Sequence, residues 1–352
     1  MVSSETENKS LERRRIKKIN SRGRWEEMMR KIVLVGIFLA FLPGVVFGAF
    51  ENWNYAGRPM ALNGCYTALA NDVSAILYNP AGIAQIERPE IGAFYSRPFW
   101  GLKNVNFDTG SLLLALPWFE NFTFGLGATL FLEDNFVYHY QENMVAIDVA
   151  YGFQEMFQKE GLNLAIGSNL KILSLNAHAK SGFGNDDAVL EAKTTTKLSL
   201  DLGLVLTYKN LRLGIAGQNL IPADFGVVDE EKVPQEIHFG AGYDWRILGK
   251  KRVTPLVEFL YKGGESRIGF GTECEISSIL AVQLGIDRDN YSFGISFGKI
   301  SDIKEESEMD SGEFVSLPLN ESWAPRIDLS YVYARNVERQ SGSPHIGLIW
   351  RF

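Results

Sequence analysis

The side chains best suited to catalysis or metal binding are few in this sequence, and they are not spaced for either task. The histidines are His139, His178, His238 and His345, and the cysteines are Cys65 and Cys274. No His-x-x-x-His or Cys-x-x-Cys pattern brings two metal ligands onto one side of an element. No catalytic triad is indicated. We therefore expect no metal, no cofactor and no enzymatic activity.

The ionisable residues are more informative, because many of them share the polar phase of segments in which apolar and polar residues alternate. The polar candidates at this phase are Asp148, Lys171, Asp201, His238, Asp244, Arg267, Glu273, Asp287, Arg326, Asp328, His345 and Arg351. Both signs of charge occur. These groups could pair inside a closed structure simply to satisfy one another, hold an interior segment through a partner such as Arg58, or line a polar conduit.

The segments that carry these residues alternate apolar and polar side chains with a period of two, which predicts β-strands. In 197–208, for example, Leu198, Leu200 and Leu202 share one face, whereas Ser199 and Asp201 share the other. No amphipathic helix separates the segments, so neighbouring strands should be antiparallel. The sequence predicts fourteen strands, near residues 90–99, 105–117, 122–132, 143–154, 162–174, 195–208, 211–220, 235–246, 253–262, 266–276, 279–288, 291–300, 324–335 and 344–352.

The two faces of these strands favour a transmembrane barrel over a soluble β-sandwich or propeller. One face is aliphatic with aromatic residues towards the strand ends, and the other is rich in Gly, Ser, Ala, Asn and Asp. An outward apolar band, aromatic girdles and a small or polar interior are typical of membrane barrels. A bilayer also forces closure of the sheet, because an open edge would leave unpaired backbone groups in hydrocarbon. We predict an all-β fold, a transmembrane antiparallel barrel of about 14 strands.

The last predicted strand ends the chain on an aromatic residue at the outward phase. Trp350 and Phe352 lie at this phase. Bacterial outer-membrane barrels commonly end in this way, and the terminal strand is recognised by the barrel-insertion machinery. Trp350 and Phe352 are therefore the candidate insertion signal, and outer-membrane lipid and the insertion machinery are expected partners.

Composition excludes several other classes. The 352 residues are 46% hydrophobic and 12% aromatic, which is too apolar for a disordered chain. Two cysteines cannot staple a chain of this length. After residue 50, no apolar run approaches the roughly 20 residues of a transmembrane helix. That part of the chain carries a net charge of −12, which argues against nucleic acid as a partner.

Residues 1–49 have the pattern of a leader. A basic stretch at Arg30-Lys31 precedes the apolar run 32–42, and Val46-Phe47-Gly48-Ala49 supplies small residues near a plausible cleavage point. This order is typical of a secretory signal peptide, and an uncleaved anchor is the alternative. Residues 1–27 are either a long basic region or the product of an upstream start codon, with the true start at Met28 or Met29.

Residues 50–89 do not alternate, and their small residues suit a segment packed inside a barrel. Asn79-Pro80 favours a tight turn, and Gly82 permits close backbone approach. This segment, followed by the barrel of residues 90–352, resembles the N-terminal signature of the PorV/PorQ branch of the FadL-type outer-membrane proteins. The matching motif residues are Arg58, Met60, Gly64, Thr67-Ala68-Leu69-Ala70, Asp72, Ala75, Asn79, Pro80, Ala81 and Gly82.

The resemblance implies a 14-stranded barrel with the N-terminal segment folded into the lumen as a plug, or hatch, in the bacterial outer membrane after Sec-type export. It implies passage of small hydrophobic compounds through the plugged lumen. The alternative is a scaffold or cargo-binding component of a protein secretion or surface-attachment system. The Asn79-Pro80 motif could serve gating or only end a helix. Cys65 departs from the small Ala or Gly of relatives, and we expect it to be buried and not disulfide-bonded to Cys274.

Overall fold

The computed structural model describes most of the barrel and of the segment before it. The described residues are 49–50, 56–102, 105–119, 121–135, 138–153, 161–179, 193–226, 231–247, 251–299, 324–335 and 342–352. The predicted leader, except Ala49, and the connection 301–322 lie outside them. Residues 46–263 and 267–352 form one compact unit, and that unit is described below.

Strands form a single antiparallel sheet that closes on itself. Sheet order follows chain order, β1 pairs with β15, and β10 pairs with β11. β8 and β9 pair in continuous register with β10 on either side of Asp244, so they are two parts of one wall strand and the barrel has fourteen. The strands are β1 Glu90–Ser96, β2 Val105–Phe119, β3 Phe122–Asn135, β4 Tyr138–Gly152, β5 Leu162–Ala179, β6 Lys193–Tyr208, β7 Leu211–Gln218, β8 Glu236–Tyr243, β9 Trp245–Ile247, β10 Lys251–Lys262, β11 Glu265–Ser277, β12 Leu280–Ile286, β13 Asn290–Gly298, β14 Ala324–Ala334 and β15 Ser343–Arg351.

The predicted fourteen-stranded antiparallel barrel is therefore confirmed. The strands β2 to β6 are longer than predicted, reaching 18 residues in β5. A strand needs only about 9–11 residues to cross a membrane, so this side of the wall projects beyond the bilayer.

The wall alternates between a lipid-facing and a lumen-facing surface. Outward side chains such as Leu126, Leu170, Phe270 and Leu329 are exposed, whereas their neighbours along each strand are buried. An apolar belt of this extent on a water-soluble protein would aggregate, but it matches a hydrocarbon surround. The alternation of the sequence is thus the alternation between membrane and lumen.

Among the described residues, every helix is too short or too polar to qualify as a membrane span.

The interior segment, residues 56–86, crosses the lumen as short helical turns. It contains α1 Gly57–Ala61, α2 Ala75–Tyr78 and a 3-10 helix Pro80–Gln85. Most of its residues are fully buried, and its apolar side chains form the main core together with inward residues of the wall. Residues predicted to form a plug therefore occupy the lumen of the barrel.

Inward glycines of the wall accommodate the interior segment. A Cβ added at Gly203 would lie 2.1 Å from the Asn79 side-chain oxygen, and one at Gly214 would lie 2.3 Å from the Thr67 carbonyl oxygen. At that spacing even a methyl group would collide with backbone. Wall glycines whose added Cβ would lie within 3.0 Å of the interior segment are Gly92, Gly125, Gly167, Gly203, Gly214, Gly240, Gly269, Gly271, Gly285 and Gly294.

The two ends of the barrel differ. At the terminal end, the Phe352 N–H donates to the Pro89 carbonyl 3.1 Å away, next to the start of β1. At the opposite, distal end, a lid formed by residues 219–226 and 231–235 buries Ala223, Phe225 and Val233 in the core. The interior segment thus leaves the lumen at the terminal end, where β1 begins.

We predict that Gly203→Val prevents the interior segment from seating. The added side chain would overlap Asn79, and overpacking of this kind costs about 1–3 kcal/mol. Limited proteolysis should cut within residues 56–86 of the variant but not of the wild type. Gly110→Val is the matched control, because a Cβ there meets nothing closer than 3.9 Å. Equal resistance of the two variants would contradict the close fit.

Candidate functional site

Five charged groups fasten the interior segment to the wall, and we call them the latch: Arg58, Asp72, Glu273, Arg326 and Asp328. Arg58 binds Glu273 with two parallel hydrogen bonds, Nε to Oε2 at 2.6 Å and Nη2 to Oε1 at 2.7 Å. Asp72 Oδ2 accepts from Arg58 Nη1 at 3.0 Å and from Arg326 Nη2 at 2.6 Å. Arg326 Nε lies 3.0 Å from Asp328 Oδ1. A single carboxylate of the segment therefore joins two arginines.

The latch is held by three separate parts of the fold. Arg58 lies on α1, which packs against β13 and β14, and Asp72 follows fourteen residues later in the interior segment. Glu273 is an inward residue of β11, and Arg326 and Asp328 are inward residues of β14. All five are at most 4% exposed in their side chains. Such pairs attract strongly because little water screens them.

Asp72 stays ionised inside the latch. Burial alone would raise its pKa, but the guanidinium groups of Arg326 and Arg58 hold the pKa of Asp72 well below its usual range. Its other oxygen accepts from the Ser74 backbone N–H at 2.9 Å and from the Ser74 hydroxyl at 2.5 Å. A carboxyl whose folded pKa is lowered stabilises the fold above its unfolded pKa and loses that effect only as pH falls through the folded value.

The Asn79-Pro80 motif forms a second attachment, against β5 and β6. The Asn79 amide donates to the carbonyl oxygens of Thr67 at 2.9 Å and Leu204 at 3.2 Å. Its oxygen accepts from the Ala81 N–H at 3.2 Å and so begins the 3-10 helix, with Pro80 as the first residue. Proline is favoured there because its missing N–H has no helical partner to lose.

A third attachment joins the segment to β8 and β10 through a carboxylate–histidine cluster. The Thr67 hydroxyl bonds to Glu258. His238 lies between Glu258, at 3.1 Å from Nδ1, and Glu236, at 3.2 Å from Nε2. Lys262 Nζ lies 2.9 Å from Glu236 and balances part of the negative charge. His238, predicted as a lumen-facing group, is thus joined to the interior segment through Glu258.

Two further groups of contacts tie the segment to the barrel seam and the wall to the lid. Glu90 on β1 accepts from the Val73 backbone N–H at 2.8 Å and pairs with Arg351 on β15 at 2.5 Å, so it spans the seam. Lys171 Nζ lies 2.7 Å from Asp201 and 2.6 Å from the side-chain oxygen of Asn219, where the lid begins.

The remaining predicted site residues lie at the following places. Asp244 binds Arg212 at 2.9 Å, and Asp287 binds Arg267 at 3.1 Å, both within the wall.

Asp148 is fully buried, and its carboxylate makes no hydrogen bond within the described part of the chain. His345 is buried on β15 and faces inward, whereas Trp350 and Phe352 lie at the outward phase. Gly64 adopts φ +78°, Ala81 is fully buried, and Gly82 packs on Ala70. Cys65 is buried and both cysteines are free thiols.

Sequence reasoning missed several residues that hold the segment. Glu258, with Glu236 in the same cluster, and Glu90 at the seam carry two of the contact groups, and each lies at the inward phase of its strand, which would have identified it. Tyr66 was missed because nothing in its spacing shows that its hydroxyl faces Arg58 and Ser74, at 3.4 and 3.3 Å.

One short motif could be mistaken for catalytic machinery. Gly294-Ile295-Ser296-Phe297-Gly298 has the letters of a nucleophile elbow, which requires a sharp turn between a strand and a helix. Here the five residues lie within strand β13, and the buried Ser296 hydroxyl accepts from Gln283 at 2.9 Å. Across the described residues, no group of three or more His, Cys, Asp or Glu could hold a metal ion.

A cleft of about 550 Å³ opens at the terminal end. It lies between the last turn of the interior segment and the hairpin of β2 and β3. Trp118 and Phe119 at its rim are 64% and 67% exposed. The residues that line it are Ala84, Ile86, Glu87, Pro117, Trp118, Phe119, Asn121, Thr123 and Gly152.

A closed fourteen-stranded barrel with an apolar outer belt and an ion-paired, occupied lumen defines the protein as a bacterial outer-membrane β-barrel. The P. putida toluene transporter TodX has this fold, with a TM-score of 0.51 and 10% identity over 85% of this chain and 98% of that one. A TodX deltaS2 mutant aligns with a TM-score of 0.51 and 10% identity over 86% and 100% of the two chains. A Pseudomonas aeruginosa FadL homologue aligns with a TM-score of 0.48 and 10% identity over 84% and 96%.

The chain belongs to the family of type IX secretion system membrane proteins PorP/SprF. The model of that family matches residues 66–344, from within the interior segment to the start of the last strand. Among curated proteins, no sequence match is found. The expected outer-membrane location and porin-like, FadL-like barrel are therefore confirmed, and the matched family and the TodX structures are named for secretion and for transport.

We predict that Asp72→Asn weakens the whole latch. Both arginines lose a shared anion in a buried site, and breaking a buried pair costs about 3–5 kcal/mol. Urea unfolding of the barrel in detergent should show a loss of this order. Asp289→Asn, which alters an ion pair whose arginine is 82% exposed, should cost less than about 1 kcal/mol. A smaller loss for Asp72→Asn than for Asp289→Asn would argue against the latch.

Proposed function

We propose that this protein is a non-transporting component of the type IX secretion apparatus, a closed outer-membrane scaffold that binds cargo or other components of the apparatus. The interior segment, wedged between wall glycines and held by the latch, is the observation that carries the proposal. Family membership supports the association with secretion. The similarity of residues 58–82 to PorV/PorQ proteins, which act in secretion and surface attachment, agrees with it. The proposal assigns no catalytic role.

The way the segment is attached favours a closed lumen. Hydrogen bonds and ion pairs attach the segment to β6 at Asn79, to β10 at Thr67, and to β11 and β14 at the latch. Because these strands lie on different sides of the barrel, a pore would require several buried ion pairs and hydrogen bonds to break together. Each broken pair would leave a buried charge unpaired.

We predict that the purified protein shows no open-pore conductance in planar bilayers. Removal of residues 56–86 should produce steady conductance, because it empties a lumen whose inward wall is mostly small and polar. Asp72→Asn should give brief openings if the latch closes the pore. Open-pore conductance of the wild type equal to that of the deletion variant would contradict a closed scaffold.

The scaffold role itself is tested by affinity purification from native outer membranes. Other components of the type IX apparatus should co-purify with the tagged chain. Shortening 301–322, which connects β13 and β14 at the terminal end, and shortening 180–192, which connects β5 and β6 at the distal end, tests which end they bind. Folded barrels with both connections shortened that still retain every partner would count against binding at either connection.

The second candidate is passage of small hydrophobic compounds, and the cleft at the terminal end favours it. Trp118 and Phe119 offer aromatic surface there, beside the end of the interior segment. The described fold is shared with TodX, whose name assigns it toluene. Uptake of toluene into vesicles that is lost in Trp118→Ala but kept in Trp245→Ala, an exposed tryptophan elsewhere on the wall, would favour this candidate over the scaffold.

A further inference from the structure

Two consecutive backbone nitrogens meet two carboxylates at the distal end of the lumen. The Ala49 nitrogen lies 2.7 Å from Glu231 Oε1, and the Phe50 nitrogen lies 2.7 Å from Glu142 Oε1. Both residues are buried, at 3% and 1% exposed. Ala49 and Phe50 are therefore held beneath the lid.

The carboxylate of Glu231 is positioned by the lid. The Asp224 side chain accepts from the Glu231 backbone N–H at 2.9 Å, and the Phe225 N–H donates to the Glu231 carbonyl at 2.9 Å. The ring of Phe225 also packs on that of Phe50, with centroids 4.5 Å apart. The lid therefore presents its carboxylate and its aromatic ring to the same two residues.

The carboxylate of Glu142 is positioned by the wall. Glu142 is an inward residue of β4 and is 5% exposed, and its Oε1 also accepts from the Tyr140 hydroxyl at 2.6 Å. Two carboxylates thus converge on one stretch of backbone. Glu231 is only partly buried, whereas Glu142 is buried. For a carboxylate that gives up water, an ammonium group is a better partner than a neutral amide, because it supplies a full charge and three donors.

The sequence before Ala49 explains how an ammonium could arise there. Gly48 is the last residue before the Gly48–Ala49 bond, and Val46 lies two residues earlier. Small residues at these two positions characterise leader cleavage sites. Hydrolysis adds water across that peptide bond, so the carboxylate leaves on Gly48 and the new amine on Ala49 takes up a proton. The reaction needs only water and a leader-removing protease.

We propose that the chain is cut between Gly48 and Ala49, and that the resulting α-ammonium of Ala49 forms an ion pair with Glu231 beneath the lid, with Glu142 fixing the next residue. Processing then adds an attachment beneath the lid for the residues that precede the interior segment in the chain. The site binds the protein's own N terminus. It is independent of whether the barrel acts as a scaffold or passes hydrophobic compounds.

The first test locates the N terminus. Protein purified from outer membranes is labelled at its α-amine and digested, and the first peptide is identified by mass spectrometry. The expected first residue is Ala49. A chain that starts at any other residue overturns the proposal.

The second test asks whether a charged amine is bound. An unfolded α-amine has a pKa near 7.7–8.0, and a carboxylate partner raises it, so its stabilising effect is present below that pH and is lost as pH rises through the folded value. The melting temperature of the wild type should fall between about pH 8 and 10. Glu231→Gln should remove most of this fall, whereas Glu87→Gln, an exposed position at the terminal end, should keep it.

Other titratable groups near the site are accounted for by the same comparison. Glu142, Glu231 and Tyr140 face the amine from the wall and lid, Glu133 lies near Tyr140, and Asp224 and Lys232 lie on the lid. These groups titrate in both the wild type and Glu87→Gln, so they contribute equally to the pH dependence of the melting temperature in both proteins. Parallel pH profiles for the wild type and Glu231→Gln would overturn the proposal.

A measurement on the wild type alone covers the case in which Glu231→Gln does not fold. An amine-reactive label at pH 8 should modify the α-amine of the folded protein at least tenfold more slowly than that of the urea-unfolded protein. Equal rates would show that the amine is free, and would overturn the proposal.

Discussion

A polar interior closed off from water must neutralise its own charges, and the rest of this structure depends on that constraint. The barrel wall has one face in lipid and the other against the interior segment, so inward carboxylates and guanidinium groups must find partners within the protein. The latch shows the solution. Asp72 supplies one anion to two arginines, and each arginine has a second carboxylate of its own. The position of the segment is fixed where each of these guanidinium groups meets two carboxylates.

The close fit of the interior segment also depends on the absence of side chains at the inward glycines of the wall. Glycine at the inward phase usually suggests a wide, water-filled lumen, but here it marks where backbone meets backbone. Gly167 and Gly203 receive the turn at Pro80 and Ala81, and Gly285 receives the turn after α1. Wall glycines and charged groups therefore have complementary roles. The glycines allow the backbone of the segment to approach the wall closely, and the charged groups determine which segment binds there.

The barrel could be predicted from the sequence because a period of two is a local property. Strand positions, the inward phase of residues such as Asp201 and Glu273, and the outward phase of Phe352 all follow from it. The pairing of those residues does not. Arg58 meets Glu273 across 215 positions of sequence, and only the path of the interior segment brings them together. The lid was also missed, because Ala223, Phe225 and Val233 are too few and too widely spaced to form a recognisable strand or helix.

The seam between β1 and β15 joins the closure of the barrel to the seating of the interior segment. The interior segment directly precedes β1, and Glu90 at the start of that strand contacts both Val73 of the segment and Arg351 of the last strand. In its bound form the segment lies in close contact with glycines on nine strands, so the wall surrounds it on most sides. Closing the seam between the first and the last strand therefore also completes the enclosure of the segment.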